Sequence, residues 1–516
     1  MTRPRFCEII LSTGVTGSRV SPDGDKPFHI AVLGDFGGRF SRGQTEARVV
    51  NGHAISIDRS TFDEAFSRSG VDISLPIGGS APLTLHFSEL DDFHPDRLFE
   101  RAEIFRRLRE VRLRLQDPAT FAAAAEELGV RSGAQPAIKP SAQVESAGAV
   151  APSLTKSTSG GLLDEIVKRA EEGSPKGRTG RAPDGLREFV RRVSEPHLIA
   201  AADPRQADVI GMIDRALSAQ MRALLHVPAF QALEAAWRAM FFLVRRIETG
   251  PQLKLYLIDL TQEELAADLR SSHDWRSSGA YRLLAEKTVG TPGAESWSLL
   301  VGNYTFGPEQ EDAELLGGLA RIARAAGAPF IAAASPRLLG CASLADTPHP
   351  RDWRLTPDSE GAAAWSALRR LPEASAIGLA LPRFLLRLPY GKKTDPIESF
   401  DFEEMPQDPS HEDYLWGNPA FACAVLLAQS FSEHGWEMRP GMHSQIDGLP
   451  LHVYEHDGES ELKPCAEALL TEEAIERILE CGPMPLVSLK GRDAVRAVRF
   501  QSIANPLRAL AGRWSM

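Results

Sequence analysis

Residues 131–186 interrupt an otherwise regularly patterned chain, and this interruption limits the possible folds more than any motif does. The stretch RSGAQPAIKPSAQVESAGAVAPSLTKSTSGG (131–161) is rich in Ala, Ser, Pro and Gly and has no aromatic residue. Such a composition buries too little apolar surface to offset the entropy of ordering it, so it reads as a flexible linker. The 516 residues thus divide into 1–130, the linker 131–186, and 187–516. At roughly 150 residues per domain, the length fits about three domains, or two with linkers. One segment inside the linker is different. In GLLDEIVKRA (161–170), Leu162, Leu163, Ile166 and Val167 fall on one helical face. Linker composition resumes after it, and a helix this short is marginal alone and is ordered mainly by a partner surface.

The first block opens with an apolar run, 27–33, broken by the turn residues Gly34-Asp35-Phe36-Gly37-Gly38. This predicts a strand and then a loop. Residues 54–57 and 83–87 are further strands, the second by its alternation of apolar and polar residues. Ser60 or Thr61 is placed to cap a short helix. From Pro95, Leu98, Phe99, Ala102, Phe105, Leu108, Val111 and Leu115 recur at helical spacing. That predicts one long amphipathic helix ending at Asp117-Pro118. Its arginines, Arg101, Arg106, Arg107, Arg109, Arg112 and Arg114, alternate with Glu100, Glu103 and Glu110. They form either a solvated face or a charged interface with a neighbouring subunit.

The second block begins with helical patterns through Phe189, Val190 and Val193, then Val209, Ile213, Leu217, Met221 and Leu224. A helix over 228–247 and an alternating strand over 253–260 follow. Thr261 with Glu264 three residues on is a capping box that starts the next helix. Residues 297–304, 309–326 and 329–334 read as strand, helix, strand, a βαβ unit with a parallel pair. Further strands are expected at 376–381, 451–454, 485–489 and 494–500, with helices at 419–434 and 471–480, the last ended by Gly482. The fold class is α/β (α+β mixed). Residues 27–118 are expected to fold onto the 190–516 block and to bury Leu98, Phe99, Phe105 and Leu108.

Composition narrows the function. The chain is 43% hydrophobic and 25% charged with a net charge of −11, which suits a soluble globular protein and argues against nucleic-acid binding. Cys7, Cys341, Cys423, Cys465 and Cys481 are scattered, odd in number and never spaced Cys-x-x-Cys, against a disulfide framework or a zinc site. The N-terminus lacks an apolar signal core, and the longest apolar run, 421–429, is far shorter than a membrane span. The expectation is a reduced, cytoplasmic protein without membrane insertion.

A motif search finds no catalytic assembly. Gly391-Lys392-Lys393-Thr394 lacks the first glycine of a phosphate loop, and Gly34–Gly38 lacks the Gly-x-Gly-x-x-Gly pattern. No Gly-x-Ser-x-Gly elbow occurs. His411-Glu412 lacks the second histidine of a zincin because position 415 is Leu. His452 and His456 read as an edge-strand residue and a turn residue beside Asp457-Gly458. The acidic run Glu398, Asp401, Glu403 and Glu404 reads as a solvated or salt-bridged loop before a cation site. No catalytic, cofactor-binding or metal residue is assigned, and no cofactor is expected. What remains for an enzyme is an unrecognised anion site near Arg383, Arg387, Lys392 and Lys393.

Two groups of segments carry a resemblance. PFHIAVLGDFGGR (27–39), SIDRSTFDEAF (56–66) and LTLHFSELDDFHPDRLFERAEIFRRLREVRLRL (83–115) resemble the small sheath subunit of type VI secretion, the TssB or VipA family. Asp58, Phe62, Asp63, Phe87, Asp92, Phe93 and Pro95 match its pattern. From about residue 188 the chain resembles the large sheath subunit, the TssC or VipB family. The matching stretches include 201–246, LKLYLIDLTQEEL (253–265), WSLLVGNYTFGP (297–308), 378–404 and YLWGNPAFA (414–422). Together the segments span most of the chain outside the linker, in the family's order.

The resemblance implies a contractile-tail-sheath-like subunit, a structural component that works by protein–protein assembly and not catalysis. Here the two subunits are joined in one chain, fixing their ratio and raising their effective concentration. Implied partners are other sheath subunits or further copies of itself, an Hcp-like inner-tube protein, baseplate components and a ClpV-like AAA+ ATPase. The large-subunit family continues past the part resembling 483–506, whereas this sequence stops at Met516. The remainder carries strand exchange between neighbours, so a non-polymerising homologue that caps or regulates assembly is the alternative. The helix at 161–170 lies where that family has its handle for the ATPase, with Leu162, Leu163, Ile166 and Val167 as the binding face. Trp237, Trp297, Tyr304, Phe306 and Trp416 are expected in the core or at an interface.

Overall fold

The computed structural model describes residues 26–44, 49, 52–77, 82–128, 203, 205–289, 295–354, 360–405, 410–456 and 459–515. The segment with Leu162, Leu163, Ile166 and Val167, and the pattern at Phe189, Val190 and Val193, lie outside these residues. By compactness the chain forms two units, Met1–Arg109 with Ile213–Met516, and Glu110–Met212.

The first unit is organised by the apolar run near the N-terminus. Phe28–Gly34 is a strand in which every residue is buried, because both of its edges and both of its faces are covered. On one edge it pairs in parallel with Leu253–Asp259, in register from Phe28 opposite Leu253 to Gly34 opposite Asp259. On the other it pairs in parallel with Leu299–Phe306, Ile30 lying opposite Leu299. Phe330–Ala334, Ile377–Leu381 and Met484–Ser488 continue the parallel array outward. Antiparallel strands finish the nine-stranded sheet, Ile55–Ile57 at one edge and Val495–Ala497 with Gln445–Ile446 at the other. After Phe28–Gly34 the chain adds the edge strand Ile55–Ile57, later the neighbour Leu253–Asp259 on that side, and then crosses to the neighbour Leu299–Phe306 on the other, as in a doubly wound order.

The near-continuous apolar sequences of these strands follow from that topology, since a parallel sheet is covered on both faces. Ala31 and Leu33 share a core cluster with Leu316, Leu319, Leu300, Ala332 and Leu379, under the helix Gln310–Ala326. Phe28 lies on the alternate face and meets Phe431 with ring centroids 4.8 Å apart. That face is covered by Pro419–His434, which packs against the same strands. This helix is apolar nearly all round, as a fully buried helix must be.

The expected βαβ unit, the capping box of Thr261 and Glu264, and Gly482 in the left-handed region at a helix end are all present. Other expectations need correction. The long helix from Pro95 is two helices, Pro95–Arg101 and Glu103–Gln116, with Ala102 extended at φ −74° and ψ 128°. On one continuous helix, Phe99 and Phe105 would point about 120° apart. The break lets both rings enter the same core, with centroids 6.1 Å apart and Phe105 fully buried. Leu108 is only half-buried. Thr61 does not cap Phe62–Arg68 with its side chain. Instead Asp58 Oδ1 accepts from the amides of Ser60 and Thr61 at 2.7 and 2.9 Å. The alternating strand Val71–Leu75 was not anticipated. It forms a hairpin with Leu83–Phe87. His452–His456 pairs with Glu459–Lys463 in a separate hairpin.

Within Glu110–Met212, the described residues include the helix Phe121–Glu127, also unanticipated. Arg114 pairs with Glu127 there, and Gln206 Nε2 donates to the Leu115 carbonyl at 2.7 Å.

Two outcomes follow from this arrangement. A protease site inserted between residues 131 and 186 and cut under native conditions should leave the two pieces co-eluting in gel filtration, because Phe28–Gly34 is paired on both edges. Separation without denaturant would contradict the pairing. Phe105→Ala should cost roughly 3–5 kcal/mol in denaturant unfolding, and a loss under about 1 kcal/mol would place the ring at the surface.

Candidate functional site

The phenylalanines that carry the small-subunit resemblance, Phe62, Phe87 and Phe93, converge on one place, the joint between the N-terminal segment and the long helix Pro228–Arg246. The glycine turn after Phe28–Gly34 is held by the strand beside it. Asp259 Oδ1 accepts from the amides of Phe36 and Gly37 at 2.8 and 3.1 Å. Gly38 has φ 69°, and a Cβ there would sit 2.2 Å from the Asp72 carbonyl oxygen, so only glycine fits. The turn aims Arg39 inward. Its guanidinium contacts Asp259 Oδ2 at 3.1 Å and Glu264 Oε1 at 2.5 Å, and donates to the Asp259 carbonyl at 2.9 Å. Glu264 is fully buried and also closes the capping box of its own helix. Burial holds the Asp259 carboxyl above its ordinary value against the pull of Arg39.

Trp237 is the apolar hub of the joint. It is fully buried, and its indole N–H donates to the Phe36 carbonyl at 2.8 Å. Phe66 lies 4.3 Å, Phe36 5.4 Å and Phe62 5.9 Å from its ring. One helical stretch away, Phe230 meets Phe93 and Phe87, which stack on each other at 4.1 Å. Asp92 is buried, accepts from the amides of Ser88 and Glu89, and pairs with Arg101. Asp96 accepts from the amides of Glu398 and Ser399 at 3.0 and 2.9 Å. Of the matched residues only Asp63 faces solvent. Trp297, Tyr304, Phe306 and Trp416 are buried as expected.

The four cations proposed for an anion cleft are not brought together: Lys392 and Lys393 line one groove, Arg383 and Arg387 lie outside it, and all four are ion-paired. Arg387 is buried and pairs with Glu234 at 2.8 Å and with Glu404 at 2.7 and 2.9 Å. Arg238 joins Glu234 at 2.6 Å and donates to the Tyr390 hydroxyl at 2.9 Å. Arg383 is bound to Glu467 and Glu412, Lys392 to Asp401, and Lys393 to Glu455. Each positive charge is thus neutralised within the chain. Burial alone would push the Glu404 carboxyl up. The charge of Arg387, with hydrogen bonds from Arg387 and the Tyr390 amide and the His226 imidazole 3.7 Å away, outweighs it and holds Glu404 at about 2. Tyr390 is pushed up to about 12 by burial. Glu234 was not singled out in the sequence. The one local signal was an acidic residue on the apolar face of a helix, four positions before Arg238.

Because the Glu404 value is depressed on folding, its stabilising contribution is present above about pH 4.5 and is lost as pH falls towards about 2. Glu404→Gln should therefore lose about 3–5 kcal/mol at pH 7, as for a broken buried pair. The gap to the parent chain should narrow in urea unfolding at pH 3. A gap independent of pH would mean that Glu404 is not ionised in the fold.

Comparison with known proteins agrees with this geometry. The VipB family model, described as EvpB, tail sheath N-terminal domain, matches residues 207–504. The type VI secretion system VipA model matches residues 16–129. The type VI secretion system sheath protein TssC1 of Pseudomonas aeruginosa is 35% identical over 343 residues, covering 64% of this chain and 69% of that protein. The joint described above is built from residues of both matched segments. With more than half of its length under one model, the chain belongs to the VipB tail-sheath family and carries a VipA-family segment ahead of it.

Proposed function

We propose that this chain is a structural subunit of the contractile sheath of a type VI secretion apparatus, working in the cytoplasm through assembly and not through catalysis. The observation that carries the reading is the composite sheet. A strand from the VipA-matching segment, Phe28–Gly34, sits between two strands of the VipB-matching segment. Two sheath-family parts that share a sheet form one structural unit in a fixed one-to-one ratio. The neutralised arginines of the joint support the same reading, since they leave no open anion site there. Implied partners are further copies of the chain or other sheath subunits, an Hcp-like inner tube, baseplate components and a ClpV-like AAA+ ATPase. Residues 131–186 serve as the tether, and the helix at 161–170 as the ATPase handle through Leu162, Leu163, Ile166 and Val167.

Electron microscopy of the purified full chain tests assembly. Tubules or rings are the expected result. Monodisperse particles at every concentration would overturn the sheath reading in favour of a homologue that caps or regulates assembly. For the handle, Leu163→Asp with Ile166→Asp should abolish binding to the ATPase N-terminal domain without lowering the melting temperature. Surviving binding, or a lowered melting temperature, would make that helix structural.

A further inference from the structure

Two groups of metal-ligand-type side chains occur among the described residues, and they differ in what surrounds them. In the first, His411, Glu412 and Glu467, the carboxylates already hold Arg383, and Lys463 Nζ lies 3.1 Å from His411 Nδ1. Two cations fill the role a metal would take. The second group is Glu433, His434 and His443. Glu433 and His434 end the helix Pro419–His434. The chain then turns back through Gly435 at φ 56° and Gly441 at φ 98°, conformations open to glycine, and returns His443 to the helix end.

The return is anchored. The His443 amide donates to Ser430 Oγ at 3.2 Å, and Ser430 is fully buried, donating in turn to the Leu426 carbonyl at 2.8 Å. His434 Nδ1 lies 3.3 Å from the Ser430 carbonyl oxygen. An imidazole nitrogen facing a carbonyl carries the proton, which leaves Nε2 with its lone pair outward, the tautomer that metal-binding histidines adopt. His443 Nε2 meets the Glu433 carboxylate. Among the described residues no lysine or arginine pairs with Glu433. One ligand atom from each residue lies within 4.8 Å of the other two. Tetrahedral zinc needs them about 3.4 Å apart, a closure that rotation of surface side chains supplies.

We propose that Glu433, His434 and His443 form a surface site for a zinc-class divalent transition metal ion, with water in the fourth position. Two imidazoles and one carboxylate suit zinc, cobalt or nickel and not magnesium or calcium, which prefer all-oxygen sets. The site is independent of the sheath reading.

Titration of the untagged full chain with zinc chloride, read by calorimetry, tests it. One zinc per chain should bind at this site, and His434→Ala and His443→Ala should each weaken that binding at least tenfold. His411→Ala should not change it, and magnesium should give no heat. Cobalt loading should give the visible absorption of a four-coordinate ion in the parent chain, absent in His443→Ala. Both altered residues are at the surface, so melting temperatures measured without metal should match the parent. Zinc binding unchanged in the two variants, or a cobalt spectrum like that of the hydrated ion, would overturn the proposal.

Discussion

The structure depends on a strand hydrogen-bonded along both edges. Phe28–Gly34 pairs with neighbours that begin at Leu253 and Leu299, more than two hundred residues later in the chain. Removing it would expose two ladders of backbone groups and two apolar faces, and an unpaired buried amide or carbonyl is costly. The helices Gln310–Ala326 and Pro419–His434 pack on faces that this strand helps to form. Because both parts lie in one chain, each is held at a high local concentration of the other before they meet. Once the sheet has closed, the ladders hold the parts together.

Buried charge gives the joint its selectivity. Arg39 reaches the half-buried Asp259 and the fully buried Glu264, and Arg387 reaches the buried Glu234 and Glu404. A buried ion pair adds little net stability over a well-packed apolar alternative, but leaving one partner alone is severely unfavourable. Such pairs penalise a wrong register more than they reward the right one. A strand slipped by one residue would turn Arg39 away from Asp259 and leave the buried Glu264 without its partner. The register of Phe28–Gly34, buried on both faces, is therefore fixed by the fit of its side chains and by the charge beyond its end.

What the sequence disclosed was local. The pair Thr261 and Glu264, three residues apart, marks a helix start by itself, and the strands and helix between 297 and 334 show their own periods. The joint was not legible in the same way. Arg387 and Glu234 are 153 positions apart, and Arg39 lies 220 from its acceptor carbonyl. No spacing rule connects such residues, so the arginines near 387 read equally well as an anion cleft. The break at Ala102 was hidden for another reason. Alanine is the strongest helix former, and there the demand to bury Phe99 and Phe105 together overrides local preference. The resemblance to sheath subunits pointed to the right residues, Phe62, Phe87 and Phe93, without showing that all three rings close on one helix.

The central position of an N-terminal strand also bears on how the protein is made. At about 5–20 residues per second, the ribosome needs roughly 14–54 s after Gly34 to reach Phe306, the end of the second neighbouring strand. Throughout that interval FHIAVLG is a β-prone apolar segment without its partners, and several nascent chains on one message carry it side by side. Segments of this kind associate with one another when left unpaired. Production of the chain therefore depends on holding that segment apart until its neighbours emerge, a burden that two separately translated subunits would distribute differently.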